Sequence, residues 1–271
     1  MNIDVVWYFN KAEWVFPKWR DGLRAAFEII EKKHNVRWHL GLDIEIPDDS
    51  DFILNWDNST SEFIPQLSKY EARKGLVLTT NLGLNVEALR AYDVVFPEAD
   101  EVTNQIRPAG IRAITAFGTD GRFFKPMNLK KEYEAFYPAT FSQWKRQNIF
   151  ADRYKDKGLL LGTVQPDGYE ILGHCVKAGT NIMLGYYEVE FIRELFNKSE
   201  LVDITGWEGS GRTVLEALSC GIPVSVSGDN TKALEYVKKW TLSGMYPREF
   251  ILKHYSAQRY AEDLLRGIEN A

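Results

Sequence analysis

A glycine-rich turn separates two glutamates in the segment Trp207-Glu208-Gly209-Ser210-Gly211-Arg212-Thr213-Val214-Leu215-Glu216. The segment Ala217-Leu218-Ser219-Cys220-Gly221-Ile222-Pro223-Val224 follows it directly. Apolar runs on either side, at 201–204 and 222–226, predict two strands, and residues 213–219 predict a helix between them. In such a strand–loop–helix–strand unit the helix N-terminus is aimed at an anion, because its first amides are unpaired and its dipole adds positive charge.

This turn predicts a nucleotide-binding site. The backbone amides expected to hold a phosphate group belong to Gly209, Ser210, Gly211, Arg212 and Thr213. Glu216 lies just over one helical turn further along, where its carboxylate can accept hydrogen bonds from hydroxyl groups beside the phosphate. A phosphate and a diol at one site indicate a nucleotide.

The composition is that of an ordinary globular protein. A length of 271 residues allows one large domain or two small ones, and the hydrophobic share of 45% is sufficient for a core in each. The net charge of −5 argues against nucleic acid as a partner, because proteins that bind it usually carry a basic face.

The cysteines and the apolar runs indicate a cytoplasmic protein. Cys175 and Cys220 have neither metal-type spacing nor a disulfide pattern, which suits a reducing compartment. The N-terminus carries Asp4 within its first apolar run and does not resemble a signal peptide, and no apolar run is long enough to cross a bilayer. Peripheral contact with a membrane surface stays compatible with the sequence.

Short β-rich runs alternate with amphipathic helical stretches, which predicts an α/β fold with parallel sheets covered by helices on both faces. Strands are predicted at 3–9, 36–40, 52–54, 76–79, 94–96, 111–116, 139–141, 159–161, 182–184, 201–204 and 222–226. The best boundary lies within 117–133, where a Gly-Thr-Asp-Gly turn and Pro126 precede a charged stretch. We therefore expect two doubly wound, Rossmann-like domains facing a cleft, formed by residues 1–125 and 126–271.

Several motifs resemble those of the retaining GT-B glycosyltransferases, in particular family GT4, the glycosyl transferases group 1. Glu208 and Glu216 match the paired-glutamate motif of that family, and residues 217–224 match the helix and strand that follow it. The segments 118–120 (Gly-Thr-Asp) and 124–126 (Phe-Lys-Pro) are similar to its interdomain signature. Other matches are Lys145-Arg146, similar to the donor-phosphate segment, and the strand-end glycines in Leu160-Leu161-Gly162 and Met183-Leu184-Gly185.

The resemblance is close over roughly residues 110–240 and loose over the N-terminal half. The chain is short for the family, so the resemblance implies a short member. It implies metal-independent transfer of a hexose from a UDP-, GDP- or ADP-sugar to an acceptor hydroxyl, with retention at the anomeric carbon. Residues 1–125 would form the acceptor-side domain and 126–271 the donor-binding domain. The acceptor implied is a glycan, a lipid-linked saccharide or a small molecule.

Roles for single residues also follow from the resemblance. The catalytic centre would comprise Lys145, Glu208 and Asn81, the last at the position where the family often has a histidine. The donor would be held by Arg146, Gly209, Ser210, Gly211, Arg212, Thr213 and Glu216, with its base near Tyr186. Asn10 and Trp14 would face the acceptor, or the Trp14 loop would pack in the core or on a bilayer surface.

The sequence departs from the family pattern at three places. The loop after the first strand, 8–14, is not glycine-rich, Asn81 stands in place of the histidine, and Thr140 occupies the position of an arginine. The acidic segment Asp49-Ser50-Asp51 precedes a strand instead of following one, so it predicts a solvated turn and not a metal site.

Other functions fit parts of the same pattern. Residues 206–213 have the spacing of a phosphate-binding Walker loop, but Arg212 occupies the lysine position. A dinucleotide oxidoreductase would require a third glycine where Val214 stands. A non-catalytic sugar-nucleotide-binding module, a P-loop-like NTPase and a GT-B epimerase acting on a UDP-sugar remain as alternatives to the transferase.

Overall fold

The structure is a computed structural model that describes residues 1–8, 20–57, 64–79, 84–207, 211–227 and 229–271. Two compact units make up these residues. The first comprises Met1–Gly118 together with Tyr255–Ala271, and the second comprises Thr119–His254.

The first unit is built on a sheet of parallel strands. The strands are β1 Asn2–Trp7, β2 Asn35–Leu40, β3 Phe52–Asp57, β4 Arg73–Leu78 and β5 Val94–Pro97. The helices between them are α1 Gly22–Ile30, α2 Ile64–Leu67 and α3 Asp100–Ile106. The strand order is β2-β1-β3-β4-β5, and every pairing is parallel.

Helices cover both faces of this first sheet. Alternate strand residues point to opposite faces, so Val5 packs with Phe27 of α1 on one face. On the other face, Val6 belongs to a second cluster with Leu67 of α2 and Val102 of α3. Both clusters are fully enclosed, as expected for a doubly wound parallel sheet.

The second unit has the same plan. Its strands are β6 Tyr133–Pro138, β7 Gly158–Gly162, β8 Asn181–Leu184, β9 Ser199–Ile204 and β10 Val224–Val226. Its helices are α4 Gln147–Tyr154, α5 Tyr169–Lys177, α6 Val189–Asn197, α7 Arg212–Ser219, α8 Thr231–Ser243 and α9 Pro247–His254. The order is β10-β9-β6-β7-β8, again with parallel pairings throughout. The predicted α/β class with two Rossmann-like units is confirmed.

The last helix, α10 Ala257–Asn270, belongs to the first unit. Its apolar face packs against the first sheet and α1 through Tyr260, Leu264 and Ile268. This grouping differs from the predicted division, which kept 126–271 together. The amphipathic pattern of α10 specifies a buried face but not which sheet that face covers.

The change of unit lies beside the Gly-Thr-Asp-Gly turn at residues 118–121. The first unit gives way to the second between Gly118 and Thr119. The Asp120 carboxylate accepts hydrogen bonds from the amides of Arg122 at 3.0 Å and Phe123 at 3.3 Å, and Phe124 is fully buried. This turn therefore leads the chain into the core of the second unit.

Two predicted strands differ in the structure. Residues 111–116 contribute only an isolated bridge, between Ala113 and Val95. Residues 139–141 form the loop after β6, in which Phe141 makes an isolated bridge with Val164, because the strand itself spans Tyr133–Pro138 and begins within the charged stretch that follows the predicted boundary. The buried residues Ala135, Phe136 and Tyr137 make β6 a central strand despite its polar start.

None of the helices in the described ranges has the length and apolar character required to cross a bilayer.

Candidate functional site

In the second sheet, β7 and β8 are added on one side of β6, and β9 and β10 are added on the other side. The point at which the strand order reverses therefore lies between β6 and β9. β6 is the first strand of this unit, and it lies between β7 on one side and β9 on the other. Connections from these neighbouring strands lead away in opposite directions, which opens a crevice at their carboxyl ends, the usual ligand site of such sheets. The described residues of the loops at this crevice are 139–146 after β6, and 205–207 and 211 after β9.

Direct hydrogen bonds join these two loops. The Trp207 amide donates to the Trp144 carbonyl at 2.9 Å, and the Thr205 hydroxyl donates to the Arg146 carbonyl at 3.0 Å. The Trp144 and Trp207 rings lie 5.8 Å apart between centroids. These contacts therefore hold the loop that carries Lys145 against the loop that leads to α7.

Gly206 permits this close approach. A β-carbon at this position would lie 2.2 Å from the carbonyl carbon of Lys145, well inside contact distance. Any other residue would push the two loops apart, so the glycine is required by packing against backbone.

Lys145 and Arg146 lie at the entrance to α4. Lys145 ends a short 3₁₀ turn, Gln143–Lys145, and is partly buried. Arg146 adopts a left-handed conformation, with φ of 51°, immediately before the helix begins. Residues other than glycine seldom adopt this conformation, and such residues are concentrated at functional sites. The hydrogen bond from Thr205 holds it in place.

Arg146 forms an ion pair with Asp229, in the loop after β10. Both side chains are about half exposed, at 48% each, so solvent screens the pair. Arg146, which the sequence predicts to bind the donor phosphate, is thus paired with the Asp229 carboxylate.

The loop after β10 is tied to the same region. The Ser227 hydroxyl donates to the Thr205 carbonyl at 2.8 Å, and the Asn230 side chain donates to the Gly206 carbonyl at 2.9 Å. The same Asn230 side chain accepts from the Ala233 amide at 3.2 Å and so begins α8. The loops after β6, β9 and β10 therefore meet at the crevice. We call the place where these three loops meet the junction.

Helix α7 begins at Arg212, as predicted to within a residue. Gly211 precedes it, and a β-carbon there would lie 2.2 Å from the Tyr236 ring of α8. A glycine at the capping position has no side chain to accept from the first helical amides. Arg212, Thr213 and Glu216 are each partly buried on this helix.

The structure brings the loops of Lys145, Arg146 and Gly211 together at the crevice. Tyr186 lies elsewhere on the same sheet edge, after β8, which is two strands from β6 on the side away from β9. Its side chain is 94% exposed and offers a free ring face. The remaining predicted site residues lie outside the described residues, namely Asn10, Trp14, Asn81, Glu208, Gly209 and Ser210.

Several residues of the junction were not predicted. They are Trp144, Thr205, Ser227, Asp229 and Asn230. Asn230 had a readable signal, since asparagine is a preferred N-cap and a helical pattern follows it. The others depend on which strands are neighbours, which the linear pattern does not specify.

The cysteines are not available for nucleophilic chemistry. Cys175 and Cys220 are buried free thiols, and burial raises the pKa of each to about 12. Both are therefore protonated near neutral pH. Among the residues that the structure describes, no group of three or more His, Cys, Asp or Glu side chains is arranged to hold a metal ion.

No protein-family model matches the chain, and no curated protein matches it in sequence. Solved structures are similar over its whole length. Trehalose-6-phosphate synthase OtsA has a TM-score of 0.69 at 10% identity, covering 100% of this chain and 99% of that chain. AviGT4, a glycosyltransferase involved in avilamycin A biosynthesis, has a TM-score of 0.68 at 11% identity, covering 100% and 97%.

A third similar structure is the UDP-GlcNAc 2-epimerase of Neisseria meningitidis bound to UDP-GlcNAc. Its TM-score is 0.58 at 12% identity, and 100% of each chain is covered. Likeness at such low identity concerns the fold. The chain has the GT-B fold of two Rossmann-like units that these proteins share.

Proposed function

We propose that this protein is a glycosyltransferase that moves a hexose from a nucleoside diphosphate sugar to an acceptor hydroxyl. The observation that carries the proposal is the junction at the crevice, where hydrogen bonds to Trp144 and Arg146 tie the Lys145 loop to the loop preceding α7. The junction ties a cationic segment to the loop that leads to the N-terminus of α7. A cationic segment and a helix N-terminus together suit a diphosphate.

The donor would occupy the second unit. Its diphosphate would lie on the amides of residues 209–213 with Lys145 and Arg146, and its ribose on Glu216. The base would stack near the exposed Tyr186 ring. Glu208 would contact hydroxyls of the sugar.

Transfer would proceed with retention and without a metal. As the bond between the anomeric carbon and the diphosphate oxygen breaks, negative charge grows on the leaving group. Fixed cations and helix amides stabilise such charge, and in this proposal Lys145 and the start of α7 take that role. The acceptor oxygen would then bond to the same face of the anomeric carbon, and its proton would pass to the leaving phosphate.

The acceptor side belongs to the first unit in this proposal, with Asn10, Trp14 and Asn81 as its contacts. We place the chain in family GT4 as a short member, on the motifs at residues 118–126, 145–146 and 208–224. The free thiols of Cys175 and Cys220 fit a cytoplasmic setting. Contact with a membrane surface would bring a lipid-linked acceptor within reach.

An incubation with labelled UDP-glucose, GDP-mannose and ADP-glucose, each with a panel of sugar, glycolipid and small-molecule acceptors, tests the proposal. Each incubation is run both with and without EDTA. We expect release of nucleoside diphosphate that depends on one acceptor, and a product whose anomeric configuration matches the donor by NMR. An inverted product would contradict retention, and loss of activity in EDTA would contradict metal independence.

Epimerisation is the second candidate, favoured by the full-length similarity to the UDP-GlcNAc 2-epimerase. An epimerase would convert a UDP-sugar to its C2 epimer with no acceptor present, which NMR of the donor alone would reveal. A non-catalytic binding module would bind the nucleotide sugar without releasing nucleoside diphosphate. Each outcome differs from acceptor-dependent release.

A further inference from the structure

Two threonine hydroxyls meet just beyond the carboxyl ends of β6 and β7. Strand β6 ends at Pro138, and β7 ends at Gly162. A hydrogen bond of 3.2 Å joins Thr140 Oγ1 to Thr163 Oγ1, so the two side chains point toward each other. Because β6 borders the crevice, this hydroxyl pair lies at the same edge of the sheet as the candidate site.

The backbone holds the hydroxyl pair on the accessible side of the chain. Parallel pairing continues past the two strands, since the Phe141 amide donates to the Thr163 carbonyl at 2.7 Å. The Phe141 side chain is fully buried. Successive residues of an extended segment point to opposite sides, so Thr140 points away from that core. Both threonines are partly exposed, and a ligand at the sheet edge can therefore reach them.

One hydroxyl hydrogen of this pair is spare. Two threonines carry two hydroxyl hydrogens, and only one of these can lie between the two oxygens. The hydroxyls of Thr140 and Thr163 have no further hydrogen-bond partner among the residues that the structure describes. The second hydrogen is therefore available to an acceptor from outside the protein.

A threonine pair in the first unit shows the contrast. The hydroxyls of Thr103 and Thr115 lie 2.7 Å apart. The Thr115 hydroxyl donates to the Asp100 carboxylate at 2.6 Å, and the Thr103 hydroxyl lies 3.3 Å from the Ala99 carbonyl. Acceptors within the protein therefore suffice for both hydrogens of that pair. The pair at the sheet edge has no such acceptors and keeps one hydrogen for a ligand.

We propose that the Thr140 hydroxyl donates a hydrogen bond to the diphosphate of the donor, and that Thr163 positions it by donating to the Thr140 oxygen. The inference rests on the proposed function and adds two residues to it. Thr140 makes the contact because it follows β6, which borders the crevice, and lies in the loop that carries Lys145. A hydroxyl that accepts one hydrogen bond becomes a stronger donor for the next, and phosphate oxygens are strong acceptors.

Calorimetry on T140V and T140S tests the contact. The probes are UDP, GDP and ADP, and the nucleoside of whichever diphosphate the wild-type protein binds. Valine keeps the branched shape of threonine but lacks the hydroxyl, whereas serine keeps the hydroxyl. We expect T140V to lose about 10-fold in affinity for the diphosphate, the low end for a hydrogen bond to a charged group. Its affinity for the nucleoside should stay unchanged, and T140S should bind as wild type does.

A double variant tests the role of Thr163. T163V alone should lose about two- to three-fold in affinity for the diphosphate, because the Thr140 hydroxyl becomes a weaker donor. Since Thr163 acts through Thr140, T140V/T163V should bind the diphosphate no more weakly than T140V does. T115V, in the threonine pair of the first unit, is the matched control and should bind both probes as wild type does.

Should T140V fail to fold, T140A answers the same question with the same expected ratio. Equal losses for diphosphate and nucleoside, or no loss at all, would overturn the inference alone. Additive losses in the double variant would overturn the role of Thr163. A wild-type protein that binds no nucleoside diphosphate would overturn the proposed function together with the inference.

Discussion

Two aspartates, Asp4 in the first unit and Asp229 in the second, each pair with an arginine in different surroundings. The Asp4 side chain is fully buried on β1 and accepts both Nε and Nη2 of Arg37, at 2.8 and 2.7 Å. His39 adds a contact of 2.7 Å to the same carboxylate. Asp229, by contrast, is half exposed and meets Arg146 at the mouth of a crevice.

The difference separates a structural pair from an exchangeable one. Arg37 and His39 lie on β2, so the Asp4 contacts hold an edge strand to the sheet, and nothing outside the protein can replace them. The Arg146 pair is open to solvent and costs little to break. A ligand phosphate can therefore take the place of the Asp229 carboxylate.

Removing the charge of Asp4 should have the largest effect on stability. Asp4→Asn removes the buried counter-charge of Arg37, which keeps the exposed Asp49 carboxylate at 2.7 Å, so we expect a loss of about 1.5–3 kcal/mol, the range for a hydrogen bond to a charged group. Urea unfolding should show this loss, while the folded variant binds nucleoside diphosphate as wild type does. A loss of less than about 1 kcal/mol in the free energy of unfolding would show that the Asp4 pair contributes no more to stability than an exposed ion pair does.

The same cluster predicts sensitivity to acid. Burial alone raises the pKa of Asp4, but hydrogen bonds from Arg37, Ser50 and His39 outweigh it, so the pKa falls below its ordinary value of 3.8. With the folded pKa below the unfolded one, this contribution is present above about pH 4 and is lost as pH falls through the lowered value. The wild type should therefore lose more stability than Asp4→Asn between pH 5 and pH 2 in urea titrations. Parallel pH curves would contradict the assignment.

Lys145→Ala should reduce turnover about 10²- to 10³-fold, as expected for loss of one group that stabilises developing charge. Affinity for the nucleotide sugar should fall much less, since the interaction strengthens in the transition state. Steady-state kinetics and calorimetry give the two numbers. Lys157→Ala, at an exposed lysine of the same unit, serves as the control. Equal losses in turnover and affinity would mean that Lys145 only binds.

Glu216→Ala should weaken donor binding about 10- to 100-fold, because it removes a charged hydrogen bond to the ribose. The variant should also bind a 2′- or 3′-deoxyribose form of the diphosphate as well as the ribose form, whereas wild type should distinguish at least one. Calorimetry with each form provides the test. Retained discrimination in the variant would remove Glu216 from the ribose site.

Asp229→Asn should give the smallest effect, with opposite sign. Without its carboxylate competitor, Arg146 is free to meet the phosphate, so affinity for the diphosphate should rise by about two- to five-fold. Stability should stay within about 1 kcal/mol of wild type. Weaker binding would show instead that Asp229 holds Arg146 in its working position.

The sequence predicted the positions of helices and strands better than it predicted which of them pack together. Periodicity placed β1, β7 and α7 to within a few residues, because each carries a clear apolar pattern between turn residues. It misplaced β6, which begins within the charged stretch after the predicted boundary. It also assigned α10 to the second domain, since amphipathicity does not say which sheet a helix covers.

The same limit applies to the site. Glycine-rich turns and basic residues next to strand ends could be read directly, and they identified Lys145, Arg146 and Gly211 as site candidates. The contacts of Thr205, Ser227 and Asn230 with distant loops follow from the order of strands in the sheet, which no local pattern encodes.

A crystal structure with the bound nucleoside diphosphate is the decisive test of the proposed donor site. Phosphate oxygens should lie within hydrogen-bond distance, about 2.7–3.2 Å, of the Arg212 or Thr213 amide and of the Lys145 ammonium. The ribose hydroxyls should lie on Glu216. A nucleotide bound away from the carboxyl ends of β6 and β9 would contradict the account.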